Sequence, residues 1–482
     1  MRSTTSENVL FQKEWDVLIV GAGPAGLFAS IAIASSTSLK VLLIDKGDDV
    51  NERQRSWIQE LESSEQRYSY VTGVGGAGLY SDGKLCFSLN VGGSLKETLS
   101  PAKKQQLLRV IATHLGLPNE FREMEVASES AVRRIEKIAD EAGLEFKYYP
   151  VLQIGTERCS SLISHLRDRL QELGVTLIPN CSLLDLWKDS KSGAMQAIIE
   201  SDNAHRTIVA NQVVLALGKV GSDLESRLCE RLGVPITRRP MYVGVRVEAD
   251  AADLEPLFAI ARDPKFSMRF GDGSKIKTHC ASNQGQVMAL AYDGLPVAGG
   301  QNFHALKTGR SGFSIVWDGL NFEGQSYDIA RSLMSKIAEF TEGKLLAQTL
   351  ADYTSDRSST AASFDHINLS NRIYAAGNIR AFLPAEFFAK FDEFLNRLAR
   401  LAPGIRGNQT VLYAPAIEWW MNRIEVTNGT METNCKGLYV CGDGSGWSQG
   451  IIHAAATGLL AAEGIAATSA SFLQQVPAAS CA

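Results

Sequence analysis

The chain has no paired cysteines. Its 8 cysteines among 482 residues are scattered, without a single C-x-x-C pair. That spacing excludes a zinc site or a dithiol redox centre and fits small buried thiols in a reducing compartment; no metal is expected. The chain also lacks a strong charge of one sign. A net charge of −5 argues against a nucleic-acid surface. Long hydrophobic runs are missing too: Gly, Ser, His and Glu interrupt the apolar segments before they reach the span of a bilayer. The first apolar run begins at Trp15 and opens a folded motif, so no signal peptide is expected. A cytoplasmic protein with no membrane partner is the expectation. With 45% apolar and 21% charged residues, disorder and fibrous repeats are excluded.

What is present begins as strand, turn, helix, strand. Asp16–Val20 is continuously apolar, as in a strand covered on both faces. Gly21-Ala-Gly23-Pro-Ala-Gly26 follows, then an Ala/Leu/Ile-rich helix to about Ser35, and a second strand, 40–44, ends at Asp45. Residues 101–143 read as helical, and a helix from Cys159 is stopped by Gly174. Short strands are expected near 175–178, 183–187, 194–200 and 206–209, leading to a further strand at 212–218. From about Arg238 to Pro403 the texture changes to alternating strand patterns and polar loops, with helices near 327–341 and 385–401. The end returns to the opening's style, with a strand at 437–441, a Gly-rich turn and an Ala-rich helix to about Ala467.

A bare GxGxxG is weak evidence, but here it follows an apolar strand, opens a helix, and has an acid at the end of the next strand. Gly21 permits the tight turn, Gly23 lets backbone approach a diphosphate, and Gly26 lets the helix pack on the sheet, with Pro24 and Ala25 starting the helix whose free N–H groups face that diphosphate. Asp45, followed by Lys46, is placed to accept from ribose hydroxyls. Gly73–Gly78 also matches GxGxxG but lacks the context: Ser64–Tyr70 is not an apolar strand and Tyr80–Lys84 reads as a loop. It is read as backbone passing close to a bound cofactor through Gly76, Ala77 and Gly78, with Ser81, Asp82, Gly83 and Lys84 beside it. Gly442-Asp443, with a helix starting near Gln449 or Gly450 that brings Gly450 and Ile451 to the site, points to FAD rather than NAD: Asp443 is suited to ribityl hydroxyls and the helix end to the N1/C2 side of a flavin.

These segments, with Leu215-Ala-Leu-Gly218, resemble the FAD-dependent oxidoreductases of the two-dinucleotide-binding, glutathione-reductase-like superfamily. Gly75-Gly-Ala-Gly78, Ser81–Leu85, Gly244–Glu248 and Gly450-Ile-Ile-His-Ala-Ala are similar to a narrower, largely uncharacterised family of FAD-dependent dehydrogenases. The chain departs from it at Gln153, where that family has a His, and at Lys277–Gly285, which replaces a Cys-rich stretch. The resemblance implies an α/β fold: a Rossmann-like FAD-binding domain, a parallel sheet with helices on both faces, interrupted by an α+β substrate domain with a mixed or antiparallel sheet. The FAD-binding domain is expected over 1–100, 151–237 and 404–470. A helical segment takes 101–150, the inserted substrate domain 238–403, and a flexible tail 471–482.

The expected activity is two-electron transfer from a small organic, secondary-metabolite-type substrate to non-covalent FAD, by a dehydrogenase or an oxidase that uses O2 or another acceptor. One alternative is a monooxygenase binding NAD(P)H transiently. Another is a non-catalytic flavin-binding or RNA-modification-associated protein, which the acidic charge disfavours. His453, one turn into the last helix, Lys84 and Arg246 are the catalytic candidates. His279, Cys280, His304 and Arg310 lie in the altered stretch, and Trp419 and Trp420 either roof a flavin or fill core. The sequence does not specify an oligomeric state.

Overall fold

A computed structural model describes residues 14–62, 71–292, 294–320, 326–419 and 421–469. The expected features at Ser64–Tyr70, Trp420 and 471–482 lie outside the described residues. The fold is α/β, with a Rossmann-like sheet beside a separate mixed sheet. In the first, the parallel strands Thr176–Ile178, Val41–Ile44, Glu14–Val20 and Ala204–Leu215 lie in that order, and Leu438–Val440 joins the last in parallel. Val17, Leu18, Ile19 and the whole of 42–44 are fully buried, which is why these strands read as unbroken apolar runs.

Ala204–Leu215 is one strand of 12 residues, where the sequence pattern suggests two. Its first part pairs antiparallel with Met195–Ser201 as far as Ala210, and its last part pairs parallel with Leu438–Val440 from Val213. Asn211 and Gln212 resemble a break because the strand changes partner there.

The parallel order puts the carboxyl ends of four strands on one edge. Gly21 N donates to Ile44 O (2.8 Å), Ala216 N to Val20 O (2.8 Å) and Cys441 N to Leu215 O (2.9 Å). Ligands of open α/β sheets bind in the crevice at such an edge. Helix Pro24–Ser36 and helix Ile451–Thr468 both start from this edge and pack side by side. A Cβ on Gly458 would lie 2.1 Å from Ala25 O, so the two backbones nearly touch. Ile451–Thr468 is long and apolar enough to cross a membrane by composition, but it is mostly buried inside the protein.

The second sheet has eight strands, in the order Tyr374–Ala376, Leu345–Thr349, Val411–Glu418, Tyr242–Asp250, Arg310–Trp317, Lys275–Ser282, Lys265–Arg269 and Glu145–Lys147. All its pairings are antiparallel except Leu345–Thr349 with Tyr374–Ala376. Helices Ala251–Phe258, Ser326–Thr341 and Ala385–Ala399 carry its apolar core, with Phe387, Phe391 and Phe394 fully buried. The hairpin of Gln286–Tyr292 and Leu295–Gln301 covers part of the sheet, and between it and the glycine-rich edge lies the main cavity.

Candidate functional site

The first turn is built as its spacing requires. Gly21 has φ +104°, and a Cβ there would sit 2.2 Å from Ala216 O. A Cβ on Gly26 would sit 1.8 Å from Gly21 O, so only glycine lets the helix approach the turn. Gly23 differs: its φ is −72°, and the nearest atom to an added Cβ is Gly76 Cα at 3.9 Å. Its missing side chain leaves cavity space open. Neither this helix nor Ile451–Thr468 has a side-chain cap or an acid in its first turn. Two sets of unpaired N–H groups and two positive helix ends therefore border one cavity, as suits an anionic group.

That cavity measures about 780 Å³, within the range of roughly 300–1,000 Å³ usual for ligand sites. It is lined by Gly21, Gly23, Pro24, Ala25, Asp45 and Lys46 on one side and by Gly218, Gly442, Asp443, Gly450 and Ile451 on another. Gly76, Ala77, Gly78, Ser81, Asp82 and Lys84 complete this part. Gly26 and Gly83 do not reach the cavity; Gly83 packs against Gly155 instead. The second glycine stretch coils into a short 3-10 helix, Gly76–Tyr80, and 81–83 follow it as a loop. Gly75 N donates to Ala22 O (2.8 Å), and the Arg53 guanidinium donates to Val74 O (2.6 Å) and Gly76 O (3.0 Å), which ties this stretch to the first turn.

The two acids are already partly engaged. Asp45 accepts from Ala22 N (2.7 Å) and Gly47 N (2.9 Å), so it also braces the glycine turn. Burial raises its pKa, although those N–H groups oppose the shift. Asp443 accepts from Ser448 Oγ (2.5 Å) and Gly450 N (3.3 Å), with Lys219 Nζ at 3.7 Å. Burial raises its pKa too, against the pull of Lys219.

The rest of the cavity wall comes from the second sheet and carries polar groups. Lys84 spends its three donors on Ala281 O (2.7 Å), Asp82 (2.9 Å) and Asp263 (3.4 Å). Burial opposes its charge, but the two carboxylates outweigh burial and raise its pKa. Lys84 is thus a fixed cation, unsuited to proton transfer. Despite its burial, Asp263 is held well below the usual carboxylate range by Lys265 and Lys84, and it accepts from the Tyr149 hydroxyl. Glu418 lies 2.6 Å from Lys277 Nζ and 3.5 Å from His279 Nδ1. Burial alone would raise its pKa; Lys277 and His279 bring it down to about 2. Burial, only partly offset by Glu418, lowers His279 to about 3, so its imidazole is neutral near pH 7.

Two catalytic candidates do not reach the cavity. Arg246 is 1% exposed and donates to Cys280 O (3.0 Å) and Ser282 Oγ (2.9 Å), beneath Gly300. Its strand is buried on both faces, so an inward-pointing position there meets protein rather than ligand. Glu248, two residues on, accepts instead from Tyr413 Oη (3.0 Å) and from Ser370. His453 is 1% exposed and packs against Gly92 and Gly93, with a hydrogen bond to the Leu89 carbonyl. On its helix, Ile451 and Ala454 face the cavity and His453 does not. Of the insertion candidates, His279 and Cys280 line the cavity; His304 is exposed, and Arg310 is buried against Asp250 and Gln409 O. Trp419 is buried against Tyr292, whose ring lines the cavity.

Sequence reasoning missed Tyr149, Lys219, Asp263, Lys265, Lys277, Tyr292 and Glu418. A signal existed for part of this set, because Lys275, Lys277 and His279 alternate at the period of a strand.

Comparison with known proteins finds a likeness at the first turn. The model of an FAD binding domain matches residues 16–55. An uncharacterized protein of Clostridium beijerinckii is 25% identical over 480 residues, covering 93% of this chain and 80% of its own length. Among solved structures, glycine oxidase from Geobacillus kaustophilus is 14% identical with a TM-score of 0.41, covering 96% of this chain and 97% of that one. A flavoprotein/dehydrogenase from Cytophaga hutchinsonii is 12% identical with a TM-score of 0.39, covering 93% and 75%. The matched residues hold the strand, glycine turn, helix and Asp45 that build one wall of the cavity. The chain therefore carries an FAD-binding domain, and its cofactor is FAD.

Proposed function

We propose that the chain is an FAD-dependent oxidoreductase that takes two electrons from a small organic substrate, as a dehydrogenase or an oxidase. One observation carries the reading: the glycine turns and the polar wall of the second sheet border the same continuous cavity. Bound FAD supplies the two-electron chemistry, and the protein supplies orientation and electrostatics. In this reading the first helix end and the missing Cβ of Gly23 receive the diphosphate, the second helix end meets the N1/C2 side of the flavin, and Asp45 and Asp443 meet cofactor hydroxyls. His279, whose neutral imidazole lines the cavity with Nδ1 3.5 Å from Glu418, takes up or returns a substrate proton. Lys84 keeps Asp82 and Asp263 in place as a fixed cation.

The test is anaerobic titration of the purified yellow protein with candidate small substrates and, separately, with NADPH, following loss of flavin absorbance. Rapid bleaching by a substrate and slow bleaching by NADPH support the proposal. Rapid NADPH bleaching with hydroxylation of a substrate in air would replace it with a monooxygenase. His279→Gln is expected to lower kcat by about 10²–10⁴-fold with the bound flavin content unchanged.

A further inference from the structure

The second sheet's wall of the cavity carries more lysines than acids. Alternate residues of a strand share a face. Lys275, Lys277 and His279 alternate along one strand, Lys265 and Ser267 along the next, and Lys147 ends the third; all of them line the cavity. The register sets Lys147 directly opposite Lys265, and like charges in that position weaken a sheet. Lys46 and Lys219 sit at the cofactor end with Asp45 and Asp443. Setting those four aside, six lysines and three acids line the remainder, in a chain whose net charge is −5.

The acids present are already shared. Asp82 serves Lys84 at 2.9 Å, Asp263 serves Lys84 at 3.4 Å and Lys265 at 3.6 Å, Glu418 serves Lys277 and His279, and Glu145, outside the cavity lining, serves Lys275 at 3.4 Å. Among the described residues, Lys147 donates to Asn90 O, at 3.4 Å. Among the described residues, neither Lys147 nor Lys96 has a carboxylate within ion-pair distance. Burial and the nearby Lys96, Lys275 and Lys277 lower the pKa of Lys147. An anion in the cavity would relieve this repulsion.

We infer that the substrate is an anion, whose carboxylate or phosphate is held on this sheet face by Lys147 and Lys265. The inference rests on the oxidoreductase reading above, since it names the substrate class of the same cavity. The field of the lysines would also draw an anion in, with a rate that falls as salt screens it.

The experiment uses the FAD-loaded protein and matched ligands: benzoate with benzamide, phenyl phosphate with phenol, and NADPH with NADH. Binding is read by calorimetry and by perturbation of flavin absorbance, at low and high sodium chloride. The expected result is that benzoate or phenyl phosphate binds at millimolar concentration or below and its neutral partner at least about tenfold more weakly. The Lys147→Gln/Lys265→Gln double variant is expected to weaken that binding about tenfold or more while keeping its FAD. Equal binding of neutral partners, no binding of either anion, or no effect of the double variant would overturn the inference. NADPH binding that depends on the two lysines, with neither aromatic anion binding, would also overturn it by assigning the face to a dinucleotide phosphate. The underlying reading fails separately: anions would then bind by calorimetry to a protein whose flavin no substrate bleaches.

Discussion

At the scale of the residue, Gly23 separates binding from folding. Its φ is ordinary and an added Cβ meets nothing closer than 3.9 Å, so Gly23→Val costs the fold no more than about 1 kcal/mol. The valine would instead occupy the space required by a diphosphate. The expected outcome is a protein that purifies folded but colourless; full FAD retention would remove the first turn from the site. His453 makes a different prediction, about pH. Its folded-state pKa is lowered to about 4 from 6.5 by burial. The unfolded chain therefore takes up a proton before the folded one does. Stability is complete above about pH 6.5 and is lost as pH falls toward 4, by about 1.4 kcal/mol per unit. His279, lowered to about 3, adds a slope of the same sign. Melting temperature measured from pH 7 to 5 is expected to fall, and less steeply in His453→Gln. These two histidines look alike in sequence. One faces the cavity and the other packs under Gly92–Gly93, a difference made by helix phase and strand side rather than by residue type.

At the scale of the element, the contact between Pro24–Ser36 and Ile451–Thr468 governs the cradle. Gly458 faces the backbone of Ala25, 2.1 Å from where its Cβ would be, and no rotamer change relieves a clash with backbone. Gly458→Leu is expected to cost 1–3 kcal/mol or more and to spread the two helix ends. Gly458→Leu should therefore lose flavin and melt below the FAD-stripped parent, whereas Gly23→Val should melt with the stripped parent. Most elements were legible from periodicity, because helix and strand patterns are written within ten residues or so. The illegible ones depended on distant partners. Ala204–Leu215 runs through a polar pair because two different strands accept it in turn. Gly76–Tyr80 starts where it does because Arg53 and Ala22 hold Val74, Gly75 and Gly76 at its entry. Glu145–Lys147 is too short to announce itself and exists by pairing with Lys265–Ser267.

At the scale of the whole molecule, cofactor and fold are linked. FAD that binds the folded chain and not the unfolded one stabilises it by about 2.7 kcal/mol at a free concentration 100-fold above Kd. Stripping FAD is expected to lower the melting temperature, and adding it back to restore it. The same addition should leave Gly23→Val unmoved. A stripped protein whose melting point ignores added FAD would contradict the cradle described here.

The sequence by itself determined the FAD-binding turn. Its strand, glycines, helix and acid lie within thirty or so positions, where spacing alone dictates backbone shape. It also marked Gly442-Asp443 as a second strand-end turn of the same kind. Only the tertiary structure decided that these turns border one cavity, because their meeting requires four parallel strands to end on one edge. It alone turned Arg246 and His453 into packed protein and gathered Lys147, Lys265 and Lys277 on one face. Those outcomes follow from register and sheet order, which are set by the summed burial of many distant residues and leave no mark on any single one.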